Sequence, residues 1–507
     1  MRMLVANRSG LSRMNHDTDE NDAEQLGDCQ GLASEGEESQ GLIHNNITQE
    51  EPGFYWSSVA LIVAVPLSGD FLFGMDIGLT SFSVQGWETT VHGDVWKIGW
   101  LLSATSTGAF LASFFIFQIA DRIGRRQELR LAAVSFLLGG LLQVLSSLVC
   151  GTIPCWLTLL VGRWVYGVGV AFALHAATAY IGEMAPLSIK GPLMSLNEMA
   201  LLIGLLAGYI IGVVAGEGRW RVLYIPTLIF SSTMAYLSFH RIPESYRWLL
   251  AKSRVDDAQL SWQFLYKAPL LMREEHASSN SLTTEQQSST NLLSAASVLL
   301  ERKYRRAIRA AIGVVAFLQL TGQPTLLAYA SPLFESAGLH GSFTVWVGIW
   351  KLLLTLVVIS VVEKQGRRRL LLIGCSIMLL ALFSLLLCSW LSLNGYTKSM
   401  SVLLCICLYV GGYQIGFGTM VWLVTLEVTP MAIRGPVIAL GVQTNFGMHA
   451  LMEFLVPLLQ QRLGLDAVLG MFALNTTLAL IFVHVCVPET KGMSLEEIEE
   501  KLTRERF

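Results

Sequence analysis

The sequence predicts an all-α membrane protein with twelve transmembrane helices in two six-helix bundles. Three observations lead to this fold class. The 507-residue chain is 53% hydrophobic and only 14% charged, whereas soluble domains carry about 25% charged residues. Apolar runs long enough to cross a bilayer as helices recur along the chain, and irregular backbone is not tolerated against lipid. A cassette of one acid, one glycine and two arginines also occurs twice, which indicates two related halves.

Each half contains six predicted spans, and a polar region separates the two sets. The predicted centres are Val65, Gly108, Gly139, Val170, Leu205 and Phe230, then Leu318, Leu354, Leu380, Gln414, Met448 and Leu478. The predicted domains are a disordered cytoplasmic tail (1–55), a first bundle (56–241), a cytoplasmic linker with short helices (242–307), a second bundle (308–488) and a cytoplasmic tail (489–507).

The cassette reads Asp-Arg-Ile-Gly-Arg-Arg from Asp121 and Glu-Lys-Gln-Gly-Arg-Arg from Glu363, 242 positions later. Two further acids recur at nearly the same spacing, Glu183 with Glu427 and Glu244 with Glu489. This repetition predicts two homologous halves in parallel. Two such halves make a membrane transporter the first hypothesis. In transporters built from repeats, the substrate site lies near the midplane of the membrane, where the halves meet.

Basic residues predict the orientation of the chain in the membrane. They cluster in loops that fall on one side of a twelve-span arrangement, at Arg122, Arg125, Arg126, Arg130, Arg302, Lys303, Arg305, Arg306, Arg309, Lys364, Arg367, Arg368 and Arg369. Because such loops stay in the cytoplasm, both termini are predicted to be cytoplasmic. We expect an integral, multi-pass protein of the plasma membrane or an endomembrane.

The acids and arginines of the repeats predict a cytoplasmic gate. Guanidinium–carboxylate pairs form strong, forked contacts, which could hold the two halves together in one state and break in the other. The alternative is that the arginines only set topology. The predicted gate residues are Asp121, Arg125, Arg126, Glu183, Glu244, Glu363, Arg367, Arg368, Glu427 and Glu489.

Charged residues inside the predicted spans indicate a second function, since burying a charge in a membrane is costly. Asp76, Arg163 and Lys351 are predicted to couple proton movement to transport, and Glu198 and Glu453 also lie at membrane depth. A static ion pair that fixes helix register is the open alternative. Two histidines in spans, His175 and His449, are predicted to be structural.

The seventh span carries the polar run Leu318 to Thr325, with two amides, a glycine and a proline. Such a run predicts a broken helix that lines a cavity. An amide both donates and accepts hydrogen bonds, which suits the hydroxyl groups of a sugar. Trp422 in the tenth span offers an apolar face for a sugar ring, although a lone Trp more often packs against lipid or protein.

These motifs resemble the sugar porter branch of the major facilitator superfamily over nearly the whole chain, from about Val59 to Ile498. The two cassettes and the segments Pro243–Trp248 and Pro488–Gly492 carry the resemblance. Thr321–Pro324, Ser195–Glu198 and Lys351 are most similar to the facilitative glucose transporters of types 10 and 12.

The resemblance implies alternating-access transport of a monosaccharide, a hexose such as glucose, with proton symport. It also implies the sugar-contacting positions, with Gln323 as an adjacent candidate; they are Glu198, Gln319, Thr325, Tyr329, Trp422 and Asn445. Asp76 and Arg163 match the acid and its arginine partner in proton-coupled members. No cofactor or metal is implied, and the partners are a sugar, a proton and the lipid bilayer, without nucleic acid.

Several positions depart from the family pattern, among them Leu318, Thr325, Thr419 and Phe446. Each lost hydrogen bond to a sugar costs roughly 1 kcal/mol, so the substrate remains open between a hexose and a polyol. The alternatives are therefore a polyol or inositol carrier, or a non-transporting sugar sensor on the same fold. No nucleotide loop, metal cluster or nucleophile with a base indicates an enzyme.

Two further features concern the ends of the chain and one predicted outer loop. The tail segment with Glu38, Leu42 and Ile43 resembles an acidic dileucine signal for sorting adaptors, and chance explains it equally well. Cys150 and Cys155 flank the outer loop between the third and fourth spans, where a disulfide bond is left open.

Overall fold

The computed structural model describes residues 53–146, 155–216, 219–269, 301–328, 338, 340–391, 395–430, 433–493 and 497–498. The predictions for the tail, the sorting signal, Cys150 and Tyr329 lie outside these residues, as do those for the side chains of Asp121 and Glu363. Cys155 is disulfide-bonded, and its partner also lies outside them.

Six long helices form the first half, as predicted. They are α1 (Trp56–Thr90), α2 (Val95–Ile123), α3 (Arg125–Leu145), α4 (Cys155–Met184), α5 (Lys190–Ala215) and α6 (Ile225–His240). Two short helices follow within the predicted linker, α7 (Tyr246–Ala251) and α8 (Val255–Leu265).

The second half repeats this order with two interruptions. Its helices are α9 (Arg305–Leu320), α10 (Gln323–Ala328), α11 (Phe343–Gln365), α12 (Arg367–Trp390), α13 (Gly395–Tyr413), α14 (Thr419–Val428), α15 (Arg434–Leu463) and α16 (Leu465–Cys486). α9 with α10 forms the seventh span, and α13 with α14 forms the tenth.

Eleven spans in the described part of the chain are long and apolar enough to cross a membrane. The twelfth is α15, whose 30 residues have the required length. It is less apolar because it carries Asn445, His449 and Glu453 among its membrane-depth residues. The predicted all-α class with twelve spans is confirmed. The hydropathy of α15 is lower than that of the other spans because it carries polar groups that face other helices.

Among the described residues, the halves meet mainly along two helix pairs, α2 with α15 and α5 with α11. These are the second and eleventh spans and the fifth and eighth spans, so exchanging the halves converts one pair into the other. α2 and α15 approach closely where a side chain at Gly99 would meet the backbone oxygen of Phe454 at 2.9 Å. The sequence repeat therefore corresponds to a repeated interface, which brings residues of both halves to one central region.

Candidate functional site

The seventh span is interrupted at its polar run, as predicted. α9 ends at Leu320, Gly322 adopts a φ of +86°, and α10 begins at Gln323. The interruption frees backbone carbonyl groups, and neighbouring helices bind them. Asn475 Nδ2 donates to the oxygen of Leu320 at 2.9 Å, and the Tyr409 hydroxyl donates to the oxygen of Thr321 at 2.5 Å. A break at membrane depth is stable only when its polar groups are bound in this way.

Buried polar side chains surround this break. Gln319 Nε2 donates to Asn445 Oδ1 at 2.7 Å, which joins α9 to α15. Other polar atoms at the break are buried without a hydrogen-bond partner among the described residues. They are Gln319 Oε1, both side-chain amide atoms of Gln323, and Thr325 Oγ1. An unpaired buried polar group costs about 1–3 kcal/mol. Such a cluster is chemically suited to bind a molecule that carries several hydroxyl groups.

Trp422 lies on the same face of the second half as this amide pair. A side chain added at Gly441 would contact the Trp422 ring at 3.6 Å and Val315 at 3.9 Å. Gly441 is four residues before Asn445, and Val315 is four residues before Gln319, so each lies one helical turn away from the pair. The Trp422 side chain is 38% exposed, which leaves part of its ring free for contact one turn from the amides.

A π-helical segment from Gln414 to Gly418 separates α13 from α14. Such segments occur often at functional sites. This one brings Gln414 beside Glu198 of α5, although the geometry does not meet that of a hydrogen bond. Glu198 also interacts electrostatically with Lys351 of α11, so charges from both halves face each other at the α5–α11 interface.

Asp76 and Arg163 form a buried ion pair in the first half. Arg163 donates to the two carboxylate oxygens of Asp76 at 3.2 and 3.4 Å, and Thr105 donates to Asp76 at 3.0 Å. Arg163 Nε also donates to the backbone oxygen of Leu101 at 2.8 Å. Both charged side chains are almost fully buried, so a change of protonation at Asp76 would alter the whole network.

Lys351 does not contact this pair, and its role in proton coupling stays a prediction. Lys351 lies in the second half, where its Nζ is 5.8 Å from the centre of the Tyr413 ring, and its charge interacts with Glu198. The sequence shows that a charge lies at membrane depth, but not which way its helix is rotated. Lys351 therefore belongs with Glu198, and Asp76 with Arg163.

Asp70 is a buried acid that the sequence reasoning did not single out. It is 1% exposed, and neither carboxylate oxygen has a hydrogen-bond partner among the described residues. Its charge interacts with that of Glu198. Its position in the first apolar span, six residues before Asp76, was a signal that could have identified it.

The two cassettes build the same structure in each half. Gly124 and Gly366 adopt φ values of +91° and +87°, end one helix and start the next. The carboxylates of Glu244 and Glu489 accept hydrogen bonds from the backbone N–H groups of Arg126 and Arg367, at 2.9 and 3.0 Å. Each acid thereby binds the N-terminus of a helix, where unpaired N–H groups and the helix dipole favour negative charge.

The cassette arginines tie these junctions to neighbouring helices. Arg125 Nε donates to Glu183 at 2.9 Å, and Arg367 Nε donates to Glu427 at 3.1 Å. The last arginine of each cassette donates to a backbone oxygen of the sixth or twelfth span. Arg126 donates to the oxygen of Phe239, and Arg368 donates to the oxygen of His484. We call each set a staple: Gly124, Arg125, Arg126, Glu183 and Glu244 in the first half, and Gly366, Arg367, Arg368, Glu427 and Glu489 in the second.

The structure differs here from the expected contact across the halves. Each ion pair of the staples joins helices of one half, within the part of the chain that is described. The physical reason is local, because the fourth and tenth spans end beside the junction of their own half. Burial raises the pKa of Glu244 above its ordinary value, against the opposing effect of the N–H groups that it binds.

Comparisons with known proteins agree with this architecture. The chain belongs to the sugar (and other) transporter family, whose model matches residues 61–502. A D-xylose-proton symporter-like protein 3 (chloroplastic) of Arabidopsis thaliana is 35% identical over 92% of this chain and 86% of its own length. Plastidic glucose transporter 4 of the same plant is 29% identical over 88% of this chain and 81% of its own.

Among solved structures, the chain is similar to the inward open conformation of the xylose transporter XylE from E. coli. The TM-score is 0.71 at 25% identity, over 87% of this chain and 99% of that chain. The protein is therefore an integral, multi-pass membrane protein with the twelve-helix major facilitator fold. It is a transporter rather than an enzyme.

Proposed function

We propose that this protein moves a monosaccharide such as glucose across a membrane by alternating access, coupled to a proton. The observation that supports a sugar is the set of buried, unpaired amide and hydroxyl groups at the break of the seventh span, beside the Gln319–Asn445 bond. A sugar ring offers hydroxyl groups at several angles, and each can both donate and accept. Trp422 supplies an apolar surface one turn away.

Proton coupling rests on the Asp76–Arg163 pair. A proton on Asp76 would remove the negative charge that holds Arg163, and the guanidinium would keep its contacts with Leu101 and the Tyr224 hydroxyl. The pair thus has two arrangements that differ by one proton. That one of the relatives is named a D-xylose-proton symporter-like protein supports the same proposal.

Three finer proposals follow from the sequence. The subgroup is that of the facilitative glucose transporters of types 10 and 12, on the strength of Glu198 and Lys351. Both termini and the staples face the cytoplasm, in a plasma membrane or endomembrane. The staples contribute to gating because they keep each half rigid. Each half then moves as one body and does not bend at its helix junctions.

Uptake by the purified protein in proteoliposomes tests the function. A panel of labelled glucose, xylose, inositol and linear polyols, with and without an inward proton gradient, separates the monosaccharide carrier from the polyol carrier. We expect saturable uptake of a monosaccharide that the gradient drives uphill. Binding without uptake of any compound would instead establish a sugar sensor.

A matched pair of threonines tests the site itself. Thr325 Oγ1 is buried and unpaired, whereas Thr321 Oγ1 already donates to the oxygen of Leu318 at 3.2 Å. Thr325→Val should weaken sugar binding about five-fold, the value of one hydrogen bond of roughly 1 kcal/mol. Thr321→Val should leave the affinity unchanged. Equal effects of the two changes on sugar binding would place the sugar elsewhere.

Coupling is tested separately by Asp76→Asn. This change should abolish uphill accumulation while equilibrium exchange of the sugar continues, because the translocation path remains but the proton site is lost. Accumulation at the wild-type level would remove Asp76 from the coupling role without touching the proposed sugar site.

A further inference from the structure

Three buried polar side chains bridge the α2–α15 interface. Ser106 comes from the first half, and His449 and Glu453 come from the second, and each is at most 6% exposed. Ser106 Oγ lies 2.6 Å from Glu453 Oε2 and 3.2 Å from His449 Nδ1, and His449 Nε2 lies 3.5 Å from Glu453 Oε1. We call this group the interhalf triad. It lies nearer the ends of α2 and α15 that are remote from the staples.

The triad has three contacts. The two made by Ser106 are hydrogen bonds, and the third, from His449 Nε2 to Glu453 Oε1 at 3.5 Å, is attractive when a hydrogen lies between the two atoms. Ser106 brings one hydrogen and a neutral imidazole brings one. A third hydrogen, which makes all three contacts attractive, is an added proton, carried by His449 as an imidazolium facing a carboxylate, or by Glu453 as a carboxylic acid. In either arrangement the triad has no net charge and all three contacts are attractive.

Removing that proton leaves one contact without a hydrogen. If the remaining imidazole hydrogen is on Nε2, the lone pairs of Nδ1 and Ser106 Oγ face each other while Ser106 donates to Glu453. If it is on Nδ1, the lone pair of Nε2 faces the carboxylate. Both arrangements also leave a net negative charge in a buried site, which is costly without a partner.

The surrounding charges do not supply the missing compensation. The charge of Glu453 interacts with His449 on its own helix, with Arg163 of α4 and with Asp76 of α1. Arg163 is already bound in the neutral pair with Asp76. Among the described residues that face Glu453, His449 is therefore the cation that can balance it, and only after binding a proton.

We propose that the interhalf triad is a proton-binding latch, and that closing α2 against α15 takes up one proton. The inference deepens the proposed alternating-access function, because it assigns a proton site to one conformational step. It also gives His449, which the sequence analysis treated as structural, a role in that step. By linkage, a lower pH favours the closed arrangement of these helices and a higher pH favours their separation.

The test measures the separation of α2 and α15 by a distance, without sugar or a proton gradient. Spin labels carried by p-acetylphenylalanine at two exposed positions, His92 in the turn that precedes α2 and Gln461 in α15, avoid the native cysteines. The full-length protein in nanodiscs is measured by double electron–electron resonance from about pH 5.5 to about pH 8.5, the range in which histidine ordinarily titrates. For wild type, the ratio of closed to open protein should rise up to about ten-fold for each unit that the pH falls, as linkage to one proton requires.

One variant isolates the triad. Glu453→Gln supplies the third hydrogen from its amide and removes the buried negative charge. It should reduce the pH response to less than about two-fold over the whole range, since closure then takes up no proton. The matched control is His175→Gln, which alters a partly buried histidine–glutamate pair within one half, His175 with Glu128, and should keep the wild-type response.

A wild-type ratio that is constant with pH would overturn the proposal, as would a full response in Glu453→Gln. Because the measurement reports distance rather than uptake, the latch can fail while sugar transport stands. Conversely, a protein that transports none of the tested sugars can still show the pH-dependent closure.

Discussion

The Asp76–Arg163 pair predicts an unequal response when its two members are replaced. Arg163→Met removes the guanidinium and leaves a nearly fully buried carboxylate whose remaining hydrogen bond comes from Thr105. Asp76→Asn instead leaves a guanidinium with three other partners, the Leu101 oxygen, the Tyr224 hydroxyl and the Trp87 ring, which lies 5.0 Å away. The loss of arginine should therefore be the more damaging change.

The magnitudes follow from this difference in partners. Breaking a buried ion pair by removing one member costs about 3–5 kcal/mol, because the other charge stays buried and unpaired. This range applies to Arg163→Met. For Asp76→Asn we expect about 1–3 kcal/mol, the loss of one charged hydrogen-bond partner. The double variant should cost less than the two single changes together, because it leaves no unpaired carboxylate.

The assay is reversible unfolding in mixed micelles with a rising fraction of sodium dodecyl sulfate, followed by tryptophan fluorescence. The four proteins of the double-mutant cycle are compared at neutral pH. An Arg163→Met protein within about 1 kcal/mol of wild type would refute the reasoning. So would a double variant whose loss equals the sum of the single losses, since the two residues would then be energetically independent.

Three further predictions use the same unfolding assay. Gly366→Ala should cost more than about 2 kcal/mol, because it adds the strain of a positive-φ conformation that suits only glycine to a Cβ only 2.8 Å from the Glu489 carboxylate, whereas Gly435→Ala meets nothing within 4 Å and should change little. Glu244→Gln should be more stable than wild type above the pKa of Glu244, and this difference in stability should disappear as the pH falls towards 4.5. The reason is that burial raises the pKa of Glu244, so that its protonation favours the folded state. A difference in stability that does not change with pH would contradict this. Asp70→Ala should stabilise the protein by roughly 1–3 kcal/mol, because it removes buried polar atoms without partners; a destabilised variant would show that Asp70 has a partner.

Repetition made much of this fold predictable from sequence. The cassettes, the paired acids and the apolar runs predicted two six-helix halves, and the structure adds what the spacing meant. Glu244 and Glu489 recur because each binds a helix N-terminus, and Gly366 recurs with Gly124 because the backbone there has a positive φ. These are local requirements of the backbone, and they can be recognised in the sequence as a fixed residue type at a fixed spacing.

Contacts between helices that are distant in the sequence could not be predicted in this way. Lys351 was grouped with Asp76 because both are charged at membrane depth, yet the rotation of α11 directs Lys351 towards Glu198. His449 was interpreted as structural because its partner on α2, Ser106, lies more than 300 residues earlier in the chain. Asp70 has no counterpart among the recurring acids. Hydrophobicity and spacing give depth and periodicity, but they do not show which faces of two helices meet.

The second helix connects the two buried charge clusters through adjacent residues. Thr105 donates to Asp76 in its own half, and Ser106 contacts His449 and Glu453 in the other. Neighbouring residues of a helix point in directions about 100° apart, so one short segment of α2 serves both clusters. Because the staple ties α2 to the other helices of its half, separating α2 from α15 moves the whole half. Under the proposed mechanism, a proton at either cluster would act on the same motion, and no long chain of contacts is needed to connect them.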